Sequence, residues 1–179
     1  PEQFSFAITA DLYSGYRDGV FEVAVAELNL LRPAFVLTTG DLTDGGVEDE
    51  TKLRADWDLF DSRLKPLAAP FVRLPGNHDM TNLAQRRVWE SRYGPRYSWF
   101  VYKDVLFLLL DTEDYSETEL QQIFHERADY IALRKTDPAA AAGLPYPKRQ
   151  ESFSGQVSPA QSAYFEKVLA DHPKVRWTF

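Results

Sequence analysis

Three short polar segments carry the residues of this chain best suited to chemistry: Ala10-Asp11-Leu12-Tyr13, Gly40-Asp41-Leu42-Thr43-Asp44 and Gly76-Asn77-His78-Asp79. Each follows a run of apolar residues, where a buried strand would emerge into a loop. Asp11, Asp41 and Asn77 are hard oxygen donors of the kind that divalent and trivalent cations favour, and a carboxylate can bridge two such ions. A pair of ions about 3.5–4 Å apart clamps a phosphoryl group and brings the pKa of bound water into the working range. His78, beside a ligand Asn, is suited to protonate a leaving alkoxide or to stabilise charge on a phosphate oxygen. Asp79 is then available to fix the tautomer and orientation of His78. Taken singly, Gly-Asp at a strand end is also ordinary turn chemistry, and Asp44 also reads as a helix cap or exposed loop acid. The joint arrangement, with metal-competent groups in three separate loops, is what favours a site.

The elements that must position these residues follow from periodicity. Residues 4–10, 34–39 and 71–74 are short apolar runs bounded by turn signals, as buried strands are. Between them, Val20, Ala24, Leu28 and Leu31 fall on one helical stripe, and Leu53, Trp57, Phe60 and Leu64 on another. Pro33 ends the first helix; Pro66 and Pro70 close the second. This strand–helix rhythm predicts βαβ units and a largely parallel sheet, in which ligands bind outside the carboxyl ends of the strands. All three polar segments fall there.

The second half changes character. Residues 97–101 and 105–110 read as a hairpin that ends at Asp111. From about 112 to 157 the pattern weakens: 119–133 is a helix candidate with Leu120, Ile123, Phe124 and Tyr130, and 137–145 reads as an irregular excursion. So long an insertion suits a lid or peripheral loop that shapes a substrate pocket with Tyr115, Tyr130 and Tyr146. Ser158-Pro159-Ala160-Gln161 opens a capped helix whose buried face is Tyr164, Phe165, Val168 and Leu169. Residues 174–179 begin another strand. The expectation is one domain over residues 1–179, carrying that insertion and no internal repeat.

Composition narrows the classes. At 179 residues, 44% hydrophobic and 14% aromatic, the chain suits one soluble domain with a real core. A formal net charge of −7 argues against non-specific binding to nucleic-acid phosphates. The clusters Arg86-Arg87 and Lys148-Arg149 read as solvated surface. With no cysteine there is neither a disulfide nor a thiolate metal site. No stretch approaches the roughly 18 apolar residues of a membrane span. The chain begins at Pro1 just ahead of its first strand, which fits a removed leader or a trimmed N-terminus, so its compartment, cytoplasmic or exported, stays open.

Gly40–Asp44 and Gly76–Asp79, with Asp11 ahead of them at suitable spacing, resemble the signatures of the calcineurin-like metallophosphoesterase superfamily. The resemblance extends to the 105–111 strand and the helix around Gln161. It implies an α/β fold, a metallophosphoesterase-like β-sandwich flanked by helices, around two metal ions of Mn, Fe or Zn. It implies that Asp11 binds one ion, Asp41 bridges both and Asn77 binds the other. His78 would contact the phosphate and assist the leaving group, with Asp79 as its partner. The reaction implied is hydrolysis of phosphomonoesters or phosphodiesters by a metal-bound hydroxide.

Two departures bear on that reading. Tyr13 stands where the superfamily usually has the histidine of Asp-x-His; it either packs, contacts substrate or offers a phenolate to ferric iron. The superfamily's C-terminal histidine motifs are also missing, since His125 lies in the insertion and His172 at a helix end. The chain therefore reads as the N-terminal portion of such a domain, expected to bind metal weakly and to have little or no activity by itself. Its fold would be incomplete at the C-terminus, with a sheet edge open to self-association. The alternative is a non-catalytic binding or scaffold module on the same fold. Arg17 either reaches a substrate phosphate from the first loop or is an exposed helix-start arginine.

Overall fold

The computed structural model describes residues 3–12 and 17–179. Tyr13, the residue at the departure in the first segment, lies outside the described residues.

Strands β1 (Ala7–Thr9), β2 (Val36–Thr38) and β3 (Phe71–Val72) form a parallel sheet in that order, with Ile8 opposite Leu37 and Leu37 opposite Val72. The ladder is shorter than the apolar runs because pairing continues beyond it only as single bonds. Ala34 N–H donates to the Ser5 carbonyl and Thr39 N–H to the Thr9 carbonyl. Helices α1 (Val20–Leu31) and α2 (Glu50–Leu64) make the two crossovers. Asp49 caps α2, accepting from the N–H groups of Thr51 and Lys52. Helix α3 (Leu83–Tyr93) follows β3. The sequence reading did not anticipate it.

The second sheet has β4 (Ser98–Tyr102) antiparallel to β5 (Val105–Leu109), and β6 (Trp177–Thr178) parallel to β5 at its edge. Lys103 and Asp104, both at positive φ (47° and 63°), form the two-residue hairpin turn. Positive φ at both positions matches the right-handed twist of the strands.

Side-chain alternation along β5 builds two layers at once. Phe107 and Leu109 face the first sheet and meet Phe35 and Leu37 of the β2 region, with Phe4, Phe6 and Phe100 around them. Phe107 lies edge-on to Phe35 and Phe6, with centroids 5.2 and 5.3 Å apart, the arrangement ring quadrupoles favour. Leu106 faces the other way, onto Phe165 and Val168 of α6 (Pro159–Asp171). On the far side of the first sheet, α1, α2 and α3 share a core of Phe21, Val25, Trp57, Phe60, Val88 and Trp89. Trp57 and Trp89 are each 1% exposed and pack edge to face. A fully buried aromatic of this size contributes about 3–5 kcal/mol by truncation. The architecture is a β-sandwich with helices on both outer faces.

Between β5 and α6 the chain makes an excursion through α4 (Glu117–Arg134), α5 (Pro138–Ala141) and two short 3-10 turns, Tyr146–Lys148 and Gln150–Ser152. Its ends are clasped: Gln156 N–H donates to the Thr112 carbonyl, and Asp114 N–H to the Gln156 carbonyl. Its own small core is Tyr115, Leu120 and Ile123 against Leu83 and Tyr146. Among the described residues, no helix is long and apolar enough to cross a membrane.

Candidate metal centre and its cavity

Asp11 and Asp41 follow β1 and β2, and both stand in the left-handed region, at φ 56° and 57°. Aspartate is among the few residues that tolerate this conformation, and such residues concentrate at functional sites. The two loops are joined by Asp11 N–H donating to the Gly40 carbonyl at 3.1 Å. The third loop, after β3, closes on the second. His78 N–H donates to Asp41 Oδ1 at 2.9 Å, which orients that carboxylate.

Asp79 fastens the same two loops from beneath. Its carboxylate accepts from the N–H groups of Leu42, Thr43 and Gly76 and from the Thr43 hydroxyl, all near 3.0 Å. The group is 1% exposed. Burial pushes its carboxyl up to about 6, against the opposing pull of those hydrogen bonds. The sequence reading made Asp79 the orienting partner of the His78 ring. The hydrogen bonds described for its carboxylate tie Gly76 to residues 42 and 43, through their backbone and the Thr43 hydroxyl.

Asp11, Asp41 and Asn77 line one cavity of 620 Å³. Asp11 and Asn77 are exposed and Asp41 half-buried. His78 and Asp79 are not among its described lining residues. A Cβ built on Gly45 would lie 2.9 Å from His78 Nδ1, so the imidazole lies against the Gly45–Gly46 turn. Gln85, 1% exposed, holds this junction, donating through Nε2 to the carbonyls of Asp44 (3.0 Å) and His78 (2.8 Å). Gly46 N–H and the Thr81 hydroxyl meet its Oε1.

A second set of charged residues, not singled out by sequence reasoning, stands behind the cavity. Asp111, at the end of β5, and Asp114 are buried and both pair with Arg96, which also holds Glu90 of α3. Gln161 of α6 accepts from Asp111 N–H and donates to the Asp111 carbonyl and Asp114 Oδ2, each at 2.9 Å. Arg86, which reads from the sequence as solvated surface, is instead buried and donates to the carbonyls of Glu113 and Tyr115. Together they fix the 111–115 loop, and Glu113 of that loop lines the cavity. Burial, with the charges of Asp111 and Asp41, pushes the Glu113 carboxyl up to about 7. The apolar run ending at Asp111 was the available signal. Its partners lie 15 and 50 residues further off in sequence.

Other candidates divide. Tyr146 lines the cavity, whereas Tyr115 is in the core of the excursion and Tyr130 packs on Tyr146 at 5.5 Å. Arg17 is exposed and absent from the described lining. His125 is exposed on α4, and His172 ends α6 with Nδ1 2.7 Å from the Val168 carbonyl.

Two carboxylates and an amide around one opening suit a hard cation by donor type. Asp41 Oδ1 receives the His78 N–H, and no hydrogen bond is described for Oδ2. Among the described residues no group of three or more His, Cys, Asp or Glu is close enough to hold a metal ion. The donors therefore fit the oxygen part of a metal site.

The fold is similar to the crystal structure of a dimetal phosphatase from Danio rerio, with a TM-score of 0.63 and 18% identity, over 98% of this chain and 68% of that one. A model of the calcineurin-like phosphoesterase family matches residues 4–154, and the chain belongs to that family. It is 35% identical, over 80 residues, to a probable glycerophosphodiester phosphodiesterase GpdQ of Arcobacter nitrofigilis. That match covers 45% of this chain and 25% of the relative, so the chain spans about a quarter of that relative's length.

Proposed function

We propose that this chain carries the oxygen-donor part of a metal-dependent site that hydrolyses phosphomonoesters or phosphodiesters. The supporting observation is the delivery of Asp11, Asp41 and Asn77, from three successive strand ends, to one cavity wall. These residues would hold Mn, Fe or Zn, and a cation held there supplies Lewis-acid activation of the phosphoester and of water. Asp41 would offer the carboxylate oxygen that His78 N–H does not take, Asn77 its amide oxygen and Asp11 its carboxylate. His78, anchored through its backbone to Asp41 and Gln85, is the residue assigned to the phosphate and its leaving group. Asp79 acts by holding Gly76 against residues 42–43.

Metal affinity of this chain by itself is low in this reading, because imidazole donors supply much of the affinity for Zn and Fe. Tyr13, in the position of the histidine of Asp-x-His, supports a second reading, a non-catalytic binding module on the same fold. On the full-length protein, calorimetric titration with Mn²⁺ and Zn²⁺, together with turnover of 4-nitrophenyl phosphate and bis(4-nitrophenyl) phosphate, separates the two. The phosphoesterase reading expects metal-dependent turnover that Asp41→Asn and His78→Ala abolish, and metal affinity reduced about 10–100-fold in Asp41→Asn. Turnover indifferent to chelator and to both substitutions would refute it. No turnover and no metal uptake would favour the binding module.

A further inference from the structure

The cavity that holds Asp11, Asp41 and Asn77 is far larger than a phosphoryl group requires. At 620 Å³ it lies in the range of sites that enclose a whole organic ligand. Its other walls come from the excursion. Leu120, Ile123, Phe124 and Arg127 lie at i, i+3, i+4 and i+7 of α4 and so share one helix face, and Tyr146 and Phe153 follow from the later turns.

Charge around this cavity is lopsided. Its described lining carries four acidic side chains, Asp11, Asp41, Glu113 and Glu151, and Arg127 is the only basic one among the described lining residues. The other arginines nearby are committed: Arg96 to Asp111 and Asp114, Arg86 to the 113–115 backbone, Arg149 to Glu126. Arg127 is half-buried, neither a hydrogen bond nor an ion pair is described for its guanidinium, and it lies within electrostatic range of Glu113. Five N–H donors in a planar fork, for which no hydrogen bond within the chain is described, suit a carboxylate or phosphate.

We infer that Arg127 is a specificity-determining residue, which pairs with an anionic group on the organic part of the substrate, at a point distinct from the scissile phosphoryl. Building on the phosphoesterase reading, the preferred substrates are bulky phosphoesters whose alcohol portion carries a second negative charge, and the aromatic wall of Phe124 and Tyr146 covers its apolar part. A guanidinium on α4 acts from a different element than the three loops that supply oxygen donors, so it reads a different part of the ligand.

The test uses three 4-nitrophenyl phosphodiesters whose second ester chain ends in a methyl, a carboxylate or a phosphate, and their non-hydrolysable phosphonate analogues. With Mn²⁺ supplied, titration calorimetry gives the affinities of the analogues, and nitrophenolate release gives turnover of the esters. The expected result is an affinity for the anionic-ended analogues about tenfold above the methyl-ended one. That ratio falls to about one in Arg127→Gln and is partly restored in Arg127→Lys. The carboxylate and phosphate arms identify which anion is preferred. Equal affinities in the native protein, a ratio that survives Arg127→Gln, a uniform loss across all three analogues, or no measurable binding of any would each overturn the inference. A binding preference without turnover of any ester would sink the phosphoesterase reading alone. Turnover without the preference would sink this one alone.

Discussion

At Gly76 one methyl group separates a closed site from an open one. A Cβ there would lie 2.3 Å from Asp41 Oδ1 and 2.5 Å from Asp41 N, while a Cβ on Gly40 would lie 1.9 Å from Gly76 N. The two loops touch backbone to backbone, and only residues without side chains allow it. Gly76→Ala is therefore expected to lower stability by about 2–3 kcal/mol, read as a lower urea midpoint at unchanged slope. The same change should push Asp41 aside and weaken Mn²⁺ or Zn²⁺ binding at least about tenfold by calorimetry. Native-like midpoint and affinity would show that the loops yield without cost. Which residues could do chemistry was legible at this scale, because Asp11, Asp41 and Asn77 differ in type from the apolar runs before them. The hydrogen-bond partners of Asp79 were not, because the donors it meets at residues 42 and 43 lie 37 and 36 positions away.

Elements decide how those residues are held, and α3 is the instructive case. Asn82 caps it, accepting from Gln85 N–H, and its amide donates to the Val47 carbonyl. Leu83, Ala84, Val88 and Trp89 turn inward, but Arg86, Arg87, Glu90 and Arg92 interrupt the apolar pattern, so periodicity alone does not expose the helix. Its first turn carries Gln85, the bridge between the 44–46 and 78–81 backbones. Gln85→Ala leaves the carbonyls of Asp44 and His78 without this partner. The expected cost is about 2 kcal/mol in chemical denaturation, with a loss of His78-dependent turnover that exceeds any change in KM. Equal effects on kcat and KM, or none, would show that Gln85 supports packing and not the loop junction.

At the scale of the molecule, α2, α3 and the β3 end are joined through Asp61, which receives Arg73, Arg92 and the Tyr93 hydroxyl. Burial pushes the Asp61 carboxyl up, yet the hydrogen bonds from Arg92, Arg73 and Tyr93 together outweigh it and hold the group below its ordinary value. A lowered carboxylate contributes stability that is fully present above the unfolded pKa, near 4, and is lost as pH falls through the folded value. Asp79 is raised to about 6 and acts in the opposite sense, its contribution fading as pH rises toward that value. The expected outcome is that Asp61→Asn is less stable than the native chain at pH 7, with the difference shrinking as pH is lowered below about 4. Urea titrations at pH 7, 5 and 3 measure it. A constant difference across that range would show that the Asp61 charge does not stabilise the junction of α2 and α3.

The sequence by itself determined the rhythm of βαβ units, the hairpin, the α6 start and the residue types at the three strand ends. Each of these is written in local periodicity, capping or turn chemistry, which neighbours in sequence enforce. Only the tertiary structure decided where the second sheet lies, because Phe35 and Phe107 meet across 72 positions and no local pattern specifies that encounter. It also decided that α4 roofs the oxygen donors and brings Arg127 into their cavity, and that Arg96 and Gln161 secure the floor behind them. Those contacts depend on the return of the chain at Thr112 and Gln156, a closure made by backbone hydrogen bonds that carry no signature in residue type.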